Sequence, residues 1–115
     1  MIDIGGQNYA FVEQVTAPSP PWDLTQYDIL IPVPAAYDAA GLDGFYLALP
    51  YKFQGGAHPR VNGGTVDMSG RSFQQVSWHY HDNHPWKRGQ DDLETHIFHC
   101  KGFFIDRGAV NDIKP

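Results

Sequence analysis

Apolar and polar positions alternate along residues 8–16, with Tyr9, Phe11 and Val15 in step and Glu13 as the exception. A period of two over that length predicts a half-buried strand. A second β-rich run covers residues 27–33 and is closed by Pro32 and Pro34. Proline lacks the N–H that a ladder needs, so Pro32 predicts an edge position or a bulge. Residues 45–49, opened by Gly44 and closed by Pro50, form a third run, and residues 72–81 a fourth. Residues 54–64 carry four glycines and Pro59, which predicts a loop or hairpin end. The tract Ala17-Pro18-Ser19-Pro20-Pro21 runs straight into Trp22 and reads as a packed turn. Beyond residue 90 the period changes. Leu93, Ile97, Cys100 and Phe104 recur at i, i+4, i+7 and i+11, with His96 and Phe103 beside them. That stripe predicts a helix over residues 91–105. Asp91 or Asp92 can cap it, and Glu94 suits the positive end of its dipole. Gly102 weakens it by about 1 kcal/mol relative to Ala. Strands followed by one C-terminal helix give an α+β expectation: an antiparallel sheet of about four strands packed on that helix.

Composition narrows the class. With 115 residues and 12.9 kDa, a single domain over residues 1–115 is expected. Hydrophobic residues make up 42%, which excludes a disordered chain. One cysteine, Cys100, allows no internal disulfide and fits a reducing compartment. No apolar run approaches the ~18 residues of a membrane span, and the N-terminus lacks the pattern of a signal peptide. The net charge of −5 supplies no basic patch for phosphates. A cytoplasmic domain is expected, with neither nucleic acid nor membrane as a partner.

Chemistry concentrates late in the chain. Five of the six histidines lie between positions 79 and 99. Read as a strand, residues 75–81 put Val76, Trp78 and Tyr80 on a core side and Gln75, Ser77, His79 and His81 on the other. A hydroxyl beside imidazoles is the minimum equipment of an activated nucleophile, and a solvated polar face has the same pattern. A metal site is a third possibility: His79, His81 and His84 are close in sequence, while His96, His99 and Cys100 share the helix. Their spacing matches no usual zinc pattern, and no second cysteine exists to pair with Cys100. Cys100 itself lies within the buried stripe, where a thiol is inert. Helix capping accounts for Asp91, Asp92 and Glu94. The glycines at 55–56 and 63–64 lack a phosphate-loop pattern and read as turns. No cofactor is expected.

Two stretches together resemble the prokaryotic E2 family E of the ubiquitin-conjugating superfamily. The first is Pro34-Ala35-Ala36-Tyr37 after the 27–33 run, then Leu42-Asp43-Gly44-Phe45-Tyr46-Leu47. The second is Ser77-Trp78-His79, Trp86-Lys87-Arg88-Gly89 and the Asp91–His96 start of the helix. The resemblance covers residues 27–105 and implies an E2/UBC-like fold. It also implies a ubiquitin-like protein and an E1-like activating enzyme as partners. Where E2 proteins place a cysteine ahead of that tryptophan, this chain has Trp78, eight residues before Trp86, with Ser77 its neighbour. The implied chemistry is acyl transfer on a serine oxyester. Ser77 would be the acceptor, His79 or His81 the base, and Asn83 a donor to the oxyanion. The alternatives are a catalytically inactive module that binds a ubiquitin-like protein or an E1, and a histidine-rich metal enzyme.

Overall fold

In a computed structural model, residues 2–34, 42, 44–78, 87, 90 and 92–105 are described. Six strands and one helix follow in order: β1 (Ile2–Ile4), β2 (Gln7–Thr16), β3 (Gln26–Val33), β4 (Phe45–Ala48), β5 (Val61–Met68), β6 (Arg71–Val76) and α1 (Leu93–Ile105). The strands form one antiparallel sheet in the order β1-β2-β3-β4-β6-β5. The α+β expectation holds, with six strands rather than about four. The two additions are β1, too short for a period to show, and β5, whose alternation Gly63 and Gly64 interrupt. The stretch read as a loop over residues 54–64 therefore ends inside a strand. The fourth run stops at Val76 rather than continuing through Ser77 and Trp78.

Alternation sorts the sheet into two faces. Tyr27, Ile29, Ile31 and Val33 of β3, with Phe45 and Leu47 of β4, face α1 and pack with its Cys100, Phe103 and Phe104. Each fully buried phenylalanine contributes about 1.5–3 kcal/mol relative to exposure. On β2, Val12 pairs with Ile29 and Val15 with Tyr27, so three steps on one strand match two on the other. That bulge, with Gln14 at φ 57°, keeps Val12 and Val15 on the same face although their spacing is odd. It also explains Glu13, which falls out of step within the bulge. Tyr9 and Phe11 face the opposite side with Leu30, Ala48 and Phe73. No described helix covers this second cluster. The sheet curls over it instead, bringing edge strands β1 and β5 together. Ile4 from β1 and Val66 and Met68 from β5 pack against it. Pro32 sits in an interior strand, but the register of β3 with β4 runs through Ile29 and Leu30 only. On the β4 side it is locally an edge, which is what a residue without an N–H requires.

The helix is held at several points. Asp92 is its cap, accepting the Thr95 N–H at 2.9 Å and the Thr95 hydroxyl at 3.0 Å. Those hydrogen bonds, the backbone one first, hold the Asp92 carboxyl below its ordinary range. The Trp22 indole donates to the Phe104 carbonyl at 3.1 Å, satisfying one of the acceptors that a helix end leaves open. Trp22 is fully buried after the proline turn, whose backbone closes through the Trp22 N–H to Pro18. His96 is completely buried and its Nε2–H donates to the Gly44 carbonyl at 2.8 Å, tying α1 to the start of β4. His96 is thus a hydrogen-bonded core histidine.

Candidate functional site

Ser77 stands immediately after β6. The Val76 side chain before it is buried and the Trp78 ring after it packs on the helix-side core, while Ser77 is half-buried on the opposite side. The alternation expected across residues 76–78 holds, although the strand itself has ended. Trp78 is anchored by its indole N–H, which donates to the His99 carbonyl at 2.9 Å. The serine is therefore fixed between two core residues, and its hydroxyl projects away from the core.

The loop before β5 supplies its surroundings. The Ser77 N–H donates to the Arg60 carbonyl at 2.7 Å, and the Ser77 hydroxyl donates to Asn62 Oδ1 at 2.8 Å. Asn62 is oriented in turn by donating its amide to the Pro59 carbonyl at 3.1 Å. Asn62 reaches Ser77 because β5 bulges. Val61 pairs with Val76 and Thr65 with Gln74, so Asn62, Gly63 and Gly64 bow out opposite the single residue Gln75. Gly63 is required there: a Cβ on it would stand 2.6 Å from the Gln75 Cβ. The Gln74 side chain donates to the Gly63 carbonyl at 3.1 Å and holds the bulge in place. The glycine pair expected to mark a turn thus builds a bulge that delivers a carboxamide to the serine.

Below this layer lies His58, almost fully buried and stacked on Trp22 with the rings 5° from parallel. Its Nδ1 accepts the Arg60 N–H at 3.0 Å, which fixes the proton on Nε2 when the ring is neutral. The His58 backbone N–H donates to the Tyr51 hydroxyl at 2.9 Å. Burial pushes the Tyr51 phenol above its ordinary value, against the lowering effect of that hydrogen bond. Sequence reasoning passed over both Asn62 and His58. The signal for Asn62 was the Gly63-Gly64 pair, since glycine inside a strand often marks a bulge.

Of the expected site residues, Ser77 is placed and half-exposed. His79, His81 and Asn83 lie outside the described residues, as do His84 and Trp86. Among the described residues, the Ser77 hydroxyl meets an amide oxygen, which orients the hydroxyl but has no basicity to remove its proton. Cys100 is buried at zero exposure within the α1 stripe, where packing surrounds the sulfur. Among the described residues, no three His, Cys, Asp or Glu side chains gather into a metal-binding group. No helix among them is long and apolar enough to cross a membrane. What the arrangement presents is a positioned, half-exposed hydroxyl at a strand end, held by a glycine bulge.

The family described as Prokaryotic E2 family E matches the chain over residues 1–104. The match takes in the β1–β2 hairpin and the proline turn as well as the stretch from residue 27 onward. No curated protein and no solved structure matches the chain.

Proposed function

Because the chain belongs to the prokaryotic E2 family E, we propose that it is an E2-like carrier that accepts the C-terminus of a ubiquitin-like protein from an E1-like enzyme and holds it as an oxyester on Ser77. The observation that supports this reading is the placement of Ser77: half-exposed, between buried Val76 and a partly buried Trp78 that packs on the core. In the transfer, Ser77 Oγ attacks the carbonyl carbon of the acyl thioester on the E1. The C–O bond forms and the C–S bond breaks, and the E1 thiol leaves with a proton. His79 or His81 takes the serine proton and passes it on as general base and then acid. Asn83 and nearby backbone N–H groups hold the negative charge on the tetrahedral oxygen. In the second transfer an acceptor amine attacks the oxyester and the serine hydroxyl is restored. An oxyester is less activated than a thioester, so this step leans hardest on the oxyanion donors.

One observation favours a second reading. The serine proton is directed to the Asn62 amide oxygen, which is no base. A binding module with the same fold, engaging the ubiquitin-like protein or the E1 without catalysis, would need no more than this. Reconstitution with an E1-like and a ubiquitin-like protein separates the two. The carrier reading predicts an adduct that survives brief thiol treatment, yields to hydroxide and disappears in Ser77→Ala. In His79→Ala it should form about 10²–10⁴-fold more slowly, the range of a general base. A complex that forms without any covalent product selects the binding module.

A further inference from the structure

Two of the three large apolar side chains exposed among the described residues, Phe98 and Ile105, lie on the outward face of α1. Phe98 and Ile105 keep 64% and 66% of their surface. With Ile97, Gly102, Glu94 and Lys101 they line one shallow groove. Helical rotation places Glu94, Phe98, Lys101 and Ile105 along a single strip, away from buried His96, Cys100, Phe103 and Phe104. Gly102 adds nothing that would keep another helix at a distance, because the space a Cβ there would fill is open. The opposite face of the same helix is buried in the core, so this strip is free to meet a partner.

The charges on it specify the occupant. Glu94 and Lys101 lie two turns apart on the same flank, about 10 Å along the axis, with Phe98 between them. In a two-fold antiparallel pairing, each flank meets its own copy reversed. If Ile97 of one helix lies across from Phe98 of the other, both Glu94 residues fall opposite both Lys101 residues. Phe98 and its twin then fill the centre. The competing register that sets Phe98 against Ile105 brings the two Lys101 ammonium groups together and is disfavoured by like charge. Among the described residues neither Glu94 nor Lys101 forms an ion pair within the chain. We propose that a second copy of this chain is the occupant: the protein forms a two-fold dimer through antiparallel α1 helices, centred on Phe98 and clamped by reciprocal Glu94–Lys101 pairs. This assembly does not depend on the acyl-transfer reading.

Analytical ultracentrifugation of the whole chain over a range of concentrations tests it, with circular dichroism confirming that each variant is folded. The wild type should dimerise. Glu94→Lys and Lys101→Glu should each weaken dimerisation about tenfold or more, because each places two like-charged pairs across the two-fold axis. The double variant Glu94→Lys/Lys101→Glu should regain most of the loss, and Phe98→Asp should be monomeric. A wild type that stays monomeric at high concentration overturns the proposal. So does a double variant no better than either single one, or a Phe98→Asp protein that dimerises as the wild type does. A monomer whose Phe98 face instead takes up the ubiquitin-like protein or the E1 would also overturn it.

Discussion

Cys100 and Ser77 are both nucleophile types, and their surroundings divide them. The thiol is enclosed by the packing of α1 on the sheet, where a thiolate would lack solvation. The hydroxyl stands at a strand end, half-exposed. Cys100→Ala should therefore cost about 1 kcal/mol, on the scale of a small core truncation, and leave any acyl transfer intact. Denaturant unfolding and adduct assays on the same preparation check both halves. If Cys100→Ser folds normally yet loses a covalent intermediate, the thiol has a chemical role after all. Tyr27 illustrates a different use of burial. Desolvation, followed by the hydrogen bond that its phenol donates to Asp23, pushes Tyr27 up to about 12. The same hydrogen bond is the main cause that holds the Asp23 carboxyl below its ordinary range. An unfolded phenol ionises near pH 10, so between about pH 10 and 12 the unfolded chain binds fewer protons than the folded one. The Tyr27 contribution is fully present below that window and is lost as pH rises through it. Tyr9 and Tyr51 are also raised, each chiefly by desolvation, and share the alkaline limb. Urea unfolding from pH 9 to 12 should show a shallower fall in stability for Tyr27→Phe than for the wild type. Equal slopes would contradict the assignment.

At the scale of elements, two bulges decide where side chains point. The β5 bulge depends on Gly63, whose missing Cβ leaves room for Gln75. Gly63→Ala should destabilise the protein by about 1–3 kcal/mol, as overpacking does. A double-mutant cycle with Gln75→Gly should show that the two changes are not additive, since the clash is with the Gln75 Cβ. A neutral Gly63→Ala would mean that the bulge can shift at no cost. These bulges also mark the boundary of what the sequence made legible. The α1 stripe, its Asp92 cap, the buried Cys100 and the packed turn before Trp22 were readable because each depends on near neighbours in the chain. β2 was readable as a strand, yet the face of Val15 was not, because one extra residue at Gln14 reverses the parity. The first half of β5, through Gly64, read as a loop because its glycines suit a turn as well as a bulge, and only pairing with β6 separates the two. Ser77 was legible as a hydroxyl opposite Val76 and Trp78. Its partner Asn62, fifteen residues earlier, was not, since the sheet order that brings them together is a long-range fact.

For the whole molecule, the family match over residues 1–104 supports an E2-like role, and the described residues form a curled six-stranded sheet backed by one helix. In the proposed function this chain carries its acyl group on Ser77. Peptide mapping by mass spectrometry locates that acyl group, applied to the reaction with active E1-like and ubiquitin-like partners after an acid quench. The C-terminal remnant of the ubiquitin-like protein should be found on Ser77, in an ester that hydroxide releases. A remnant on any other residue, or undiminished adduct in Ser77→Ala, would contradict it.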